Sequence, residues 1–92
     1  MIRSFRHPGL ENFFKTGSKR GIQPAHAGKL SRQLLALDSA SIPAEVDIPG
    51  WRLHSLQGEL DGHWSIRVSA NWRLTFRFEQ NDVVLVDYKD YH

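Results

Sequence analysis

The segment Trp64-Ser65-Ile66-Arg67-Val68-Ser69-Ala70-Asn71-Trp72-Arg73-Leu74-Thr75-Phe76-Arg77-Phe78 leaves the chain few ways to fold. Large apolar residues alternate with polar ones on both sides of a short polar interruption, and a period of two belongs to strands with one buried face. The pattern predicts an antiparallel hairpin. Val68 and Trp72 flank the turn Ser69-Ala70-Asn71, in which Asn tolerates a positive φ. Ile66 then stands opposite Leu74 and Trp64 opposite Phe76 on the buried face. Arg67 faces Arg73 and Ser65 faces Thr75 on the other, and a bulge would shift this register by one.

The same parity extends to the neighbouring segments. Backwards through a turn at Gln57 to Gly62, Trp51 and Leu53 join the apolar face, while Arg52 and His54 come to lie beside Ser65 and Arg67. Forwards through a turn around Gln80-Asn81-Asp82, the run Val83-Val84-Leu85-Val86-Asp87-Tyr88 returns so that residues 88–92 lie next to 70–74. Asp90, Tyr91 and His92 are thereby expected beside Arg73.

Ahead of this meander, Met1 to Arg6 reads as a short strand and His7-Pro8 opens a helix with Pro at its first position. Leu10, Phe13 and Phe14 share one face, and Gly17 ends the helix before a polar loop over Thr16 to Gly21. From Pro24 to about Ala40, the residues Ala27, Leu30, Leu34 and Leu37 recur at helical spacing, with Lys29, Arg32 and Gln33 off the stripe. Ser41 to Gly50, with Pro43 and Pro49, reads as a loop. The predicted class is α+β: two N-terminal helices packed on a curved, mainly antiparallel sheet of about four to five strands.

A length of 92 residues implies one domain spanning 1–92. Cysteine is absent, which removes disulfides and thiolate metal sites, and His7, His26 and His63 show no ligand spacing with Asp or Glu. Neither a metal nor another cofactor is expected. Without a hydrophobic leader or a run of 18 apolar residues, the reading is of a soluble, cytoplasmic protein with no membrane contact. The net charge of +2 conceals an asymmetry, because residues 1–32 carry seven Lys/Arg against one Glu. Such a surface suits a polyanion, or is simply a solvated helix and loop.

Two arginines directly across a strand pair repel, so Arg67 and Arg73 call for a counter-charge. A phosphate supplies one; Glu59, Asp61 or the terminal carboxylate are the alternatives. A lone strand histidine is ordinarily a surface residue, which is the reading for His7, His26 and His63, whereas His54 and His92 gain by convergence with the arginines. Together they provide the parts for metal-free RNA cleavage: a base for the 2′-hydroxyl, an acid for the 5′-oxygen and cations for the phosphorane. Tyr91 is placed to stack on a base.

These residues carry a resemblance. The Met1-Ile2-Arg3-Ser4-Phe5 start, Arg52-Leu53-His54-Ser55-Leu56, Gly62-His63-Trp64-Ser65-Ile66-Arg67-Val68, Asn71-Trp72-Arg73-Leu74-Thr75-Phe76, Asp87-Tyr88 and Asp90-Tyr91-His92 resemble the HigB toxins of the RelE/ParE superfamily along the whole chain. The resemblance implies a RelE-like fold and a ribosome-dependent endoribonuclease that cuts messenger RNA in the decoding (30S A) site. It also implies a HigA-type helix-turn-helix antitoxin, through which operator DNA is reached only indirectly. The family's functional set falls on His54, Asp90, Tyr91 and His92, with Arg73 as a phosphate contact and Arg67 and Arg52 on the same inferred face. Gln57 stands where relatives often carry lysine, and His63 where an aromatic is common. A ParE-type gyrase inhibitor on the same fold and a non-catalytic RNA-binding module are the two other classes this sequence admits.

Overall fold

The N-terminal helix is delimited by side chains that meet its unpaired backbone groups. In the computed structural model, which describes residues 1–91, helix α1 covers Pro8–Thr16. His7 Nδ1 accepts from the Leu10 N–H at 2.9 Å, and Gly17, at φ +81°, donates its own N–H to the Phe13 carbonyl at 2.8 Å. His7 is thus a cap, a role its sequence context did not reveal. The first turn of α1 lies directly on the backbone before Ile22: a Cβ added to Gly9 would stand 2.7 Å from Gly21 Cα. Only two glycines permit that approach.

A single 3₁₀ turn at Pro24–His26 leads into α2, Ala27–Ser39. Leu30, Leu34 and Leu37 are fully buried, as the apolar stripe requires, each contributing about 1.5–3 kcal/mol through burial. Gln33, expected off the stripe, is buried as well. Its Nε2 donates at 2.7 Å to the Arg67 carbonyl, beside a bulge in the strand ladder between Arg67 and Ser69. The buried amide meets a backbone acceptor at that irregularity. The following loop is more ordered than the sequence suggests, with a 3₁₀ turn at Pro43–Val46 that buries Val46 and is held by Glu45 Oε1 accepting from Ser41 N–H at 2.7 Å.

The sheet has four antiparallel strands in the order β1 (His54–Ser55), β2 (His63–Ser69), β3 (Trp72–Glu79) and β4 (Asp82–Asp90). Val83 and Val86 of β4 bridge in parallel to Ile2 and Phe5, so the expected N-terminal strand is reduced to two isolated bridges. The pairings Ile66↔Leu74, Trp64↔Phe76, Arg67↔Arg73 and Ser65↔Thr75 hold as predicted. The turn differs: Ser69 pairs with Trp72, leaving Ala70-Asn71 as a two-residue turn, and it is Ala70 that takes the positive φ of +50°. A second register shift in β4, between the partners of Thr75 and Arg77, includes Leu85 at φ +57°.

Ile66, Leu74, Phe76, Val86 and Tyr88 form one core with Leu10 of α1 and the three leucines of α2. The helices thus cover one sheet face. Among the described residues, no helix is long and apolar enough to cross a membrane.

Candidate nucleic-acid interface

Pairing places two rows of side chains across the sheet face away from this core. The first row is His54, Ser65, Thr75 and Asp87; the second is Arg67, Arg73 and Lys89. Cross-strand partners point to the same side, so both rows share one face, on which Ser65 and Thr75 are buried. His54 is exposed, as its parity requires.

The chemistry of His54 is set by Arg52. The Arg52 carbonyl can only accept, so the His54 Nδ1 at 3.0 Å must carry the proton when the ring is neutral, which leaves the lone pair on Nε2. Arg52 itself is exposed and takes φ +52°. Its main chain holds the imidazole.

The two central guanidinia meet at the turn. Arg67 Nε donates to the Ala70 carbonyl at 3.3 Å and Arg73 Nη1 donates to the same oxygen at 2.8 Å. Among the described residues, neither forms an ion pair with a carboxylate, and that includes Glu59 and Asp61. Asp87, closest in register, is engaged by Lys89 Nζ at 3.7 Å and by the Tyr88 N–H at 2.9 Å. On α2, burial together with the charges of Arg67 and Arg32 lowers the pKa of Lys29 below the usual lysine value. The described residues of this face therefore carry an excess of positive charge.

Residues 88–91 do run beside 71–74: Trp72 pairs with Asp90, Leu74 with Tyr88, and the Tyr91 N–H donates to the Asn71 carbonyl at 2.9 Å. The partner of Arg73 is Lys89, however, and Asp90 alternates to the helix side with Trp72 and Tyr88. Burial chiefly, with the charge of Asp90 added, raises the Tyr88 pKa above its ordinary value. The expected approach of Asp90 to Arg73 is therefore a neighbourhood of backbones with side chains on opposite faces. The run Val83-Val84-Leu85-Val86 is apolar at every position and does not encode which face each residue takes. Tyr91, 39% exposed, follows the strand, and His92 lies outside the described residues.

β1 and β4 are separated by two strands, so His54 and the end of β4 flank the cations from opposite edges, about 14 Å apart in a flat sheet. His63, expected at the surface, is buried beside this face with both ring nitrogens unpartnered among the described residues, as is the Ser65 hydroxyl.

A family model described as the RelE-like toxin of type II toxin-antitoxin system HigB matches residues 3–92. The chain belongs to this family. It is 39% identical to the Endoribonuclease HigB of Proteus vulgaris over 92 residues, covering all of both chains. It is also 34% identical to Toxin HigB-1 of Vibrio cholerae serotype O1 over 94 residues, covering all of this chain and 98% of that one. The family was legible in the Trp64 to Phe76 hairpin and the Asp-Tyr-His end. Lys89 and the Tyr88 surroundings were not, although counting two residues from Asp87 would have placed Lys89 on the cationic face.

Proposed function

We propose that this toxin is a ribosome-dependent endoribonuclease that cuts messenger RNA in the decoding site, acting in the cytoplasm as a single domain over residues 1–92. The observation that supports it most is the pair Arg67 and Arg73, lacking a carboxylate partner among the described residues and flanked by a histidine with its lone pair on Nε2. The names carried by the relatives in Proteus vulgaris and Vibrio cholerae agree with this reading.

In the proposed reaction His54 Nε2 takes the proton of the 2′-hydroxyl, and the 2′-oxygen attacks the adjacent phosphorus. Arg73 and Arg67 neutralise the charge that builds on the phosphoryl oxygens, with Lys89 and Arg52 as outer phosphate contacts. The bond from phosphorus to the 5′-oxygen breaks, and His92 gives that oxygen its proton. The products are a 2′,3′-cyclic phosphate and a 5′-hydroxyl. Asp90 orients the proton donor around the end of β4 rather than from the cationic face, and Tyr91 stacks on the nucleotide. So small a set of acid-base groups depends on its surroundings to align the 2′-oxygen, which is the ribosome's part. A HigA-type helix-turn-helix antitoxin holds the toxin in check and carries it to operator DNA.

The test compares purified protein on translated messenger, on naked RNA and on gyrase-dependent DNA supercoiling. Cutting of translated messenger alone is the expected result. Site-specific cutting of naked RNA at physiological salt overturns the ribosome dependence, and inhibition of gyrase without cleavage overturns the nuclease.

A further inference from the structure

Behind the cationic face, where β4 approaches its end, four aromatic rings from four parts of the chain meet around one buried hydroxyl. Tyr88 is only 4% exposed. Trp72 of β3 stacks on it at 4.5 Å between centroids, with 30° between planes. His7, the cap of α1, presents an edge at 5.4 Å, and His26, from the turn before α2, another at 6.0 Å. His26 also sets its edge against Trp72 at 5.6 Å.

The hydrogen bonds have a direction. The Gln23 N–H can only donate, and it lies 3.4 Å from the Tyr88 oxygen. The phenol proton is then free to go to His26 Nδ1, 2.6 Å away, which leaves the neutral His26 protonated on Nε2. A buried hydroxyl with both a donor and an acceptor satisfied fixes its ring as packing alone does not. Tyr88 in turn lies two residues before Asp90, and its stacking partner Trp72 is the register partner of Asp90. This cluster is therefore the joint between the helical layer and the last residues of β4.

We propose that Tyr88 and His26 are positioning residues: the Tyr88–His26 hydrogen bond sets the placement of Asp90 and Tyr91 from the helix side of the sheet, while the cations act from the other. The inference rests on the nuclease reading above, in which Asp90 belongs to the reaction. Tyr88 and His26 touch no reacting atom in it. Asp90 and Tyr88 share one side of the strand by register, opposite Trp72 and Leu74.

The experiment uses the full chain and the conservative variant Tyr88→Phe, which keeps the stacked ring and removes only the hydroxyl. Single-turnover cleavage of translated messenger is expected to fall about 10-fold with KM unchanged, well short of the 10² scale of a misplaced reacting group. His26→Ala should behave alike, and His26→Gln, whose side-chain oxygen accepts from the phenol, should restore most of the rate. In an Asp90→Asn background Tyr88→Phe should cost nothing further, because the residue it positions is already disabled. Hydrogen exchange at the Tyr91 amide, bonded to Asn71, should quicken in Tyr88→Phe whatever the activity.

Full cleavage by Tyr88→Phe, or an equal loss with and without Asp90→Asn, overturns the positioning role. So does unchanged Tyr91 exchange. Full cleavage by Asp90→Asn alone overturns instead the assignment of Asp90 to the reaction, and the exchange measurement still decides whether Tyr88 holds the end of β4.

Discussion

Arg67 and Arg73 converge on one acceptor, the Ala70 carbonyl, at 3.3 and 2.8 Å. The carbonyl orients both guanidinia without cancelling either charge. Two like charges directly across a strand pair cost a few tenths to about 1 kcal/mol, so the arrangement works against the fold.

Replacing one of the pair should consequently separate function from stability. Arg73→Ala is expected to lower cleavage of translated messenger by about 10² through lost stabilisation of the phosphorane. Its thermal midpoint should stay level or rise, because a repulsion is removed. A large fall in midpoint with the loss of activity would make Arg73 a structural residue.

The approach of α1 to the loop before Ile22 yields a second expectation. Gly9→Ala places a methyl 2.7 Å from Gly21 Cα, a backbone atom that cannot rotate away. The cost should be about 1–3 kcal/mol, the range for overpacking, and each kcal/mol moves the midpoint by about 4–8 °C in a domain of this size. Gly17→Ala is the control, strained by φ +81° with no neighbour within 4 Å, and it should cost about 1 kcal/mol or less. Equal midpoints for Gly9→Ala and the unaltered protein, by calorimetry, would remove the close approach from the account.

What the sequence made legible follows from where alternation is strict. In the Trp64 to Phe78 hairpin each large apolar residue has a polar neighbour, so a slipped register would bury arginines, and pairing could be assigned residue by residue. The caps were half legible: Pro8 and Gly17 carry backbone signatures, but His7 as a cap depends on its ring geometry. Bulges at Val68 and near Leu85 have no signature of their own, since neither position holds a glycine. The bulge near Arg67 in turn hid the burial of Gln33. His54 and the two arginines were found because they share a parity, whereas the side taken by Asp90 lay behind an unbroken apolar run.

Tyr88 gives a prediction about alkaline pH. Burial, chiefly, with the charge of Asp90 added, raises its phenol pKa above the ordinary value near 10, and the Gln23 N–H offsets this only in part. A group whose pKa is higher in the folded state stabilises that state fully below the unfolded value, and this contribution is lost as pH rises through the folded one. Stability should therefore decline above about pH 10, and Tyr88→Phe should lack that component of the decline. Ultraviolet difference titration of the two proteins should isolate one phenol ionising above 10. A phenol that ionises at the ordinary value would contradict the buried cluster.

His54 carries the last prediction, and the argument begins with the Arg52 carbonyl. Because that oxygen takes the Nδ1 proton, neutral His54 has one tautomer, with an acceptor at Nε2 and a ring already oriented by a bond that does not change during the reaction. A base of this kind works only when deprotonated. ¹⁵N chemical shifts should report a bare Nε2 and a protonated Nδ1. His54→Ala should lower cleavage by about 10² or more, the usual scale for a lost general base, with the fold intact because the side chain is exposed on a two-residue edge strand. Added imidazole should restore part of the rate by entering the space the ring leaves. A loss of cleavage that imidazole does not repair at all would assign the base to another group and leave His54 as a contact to the messenger.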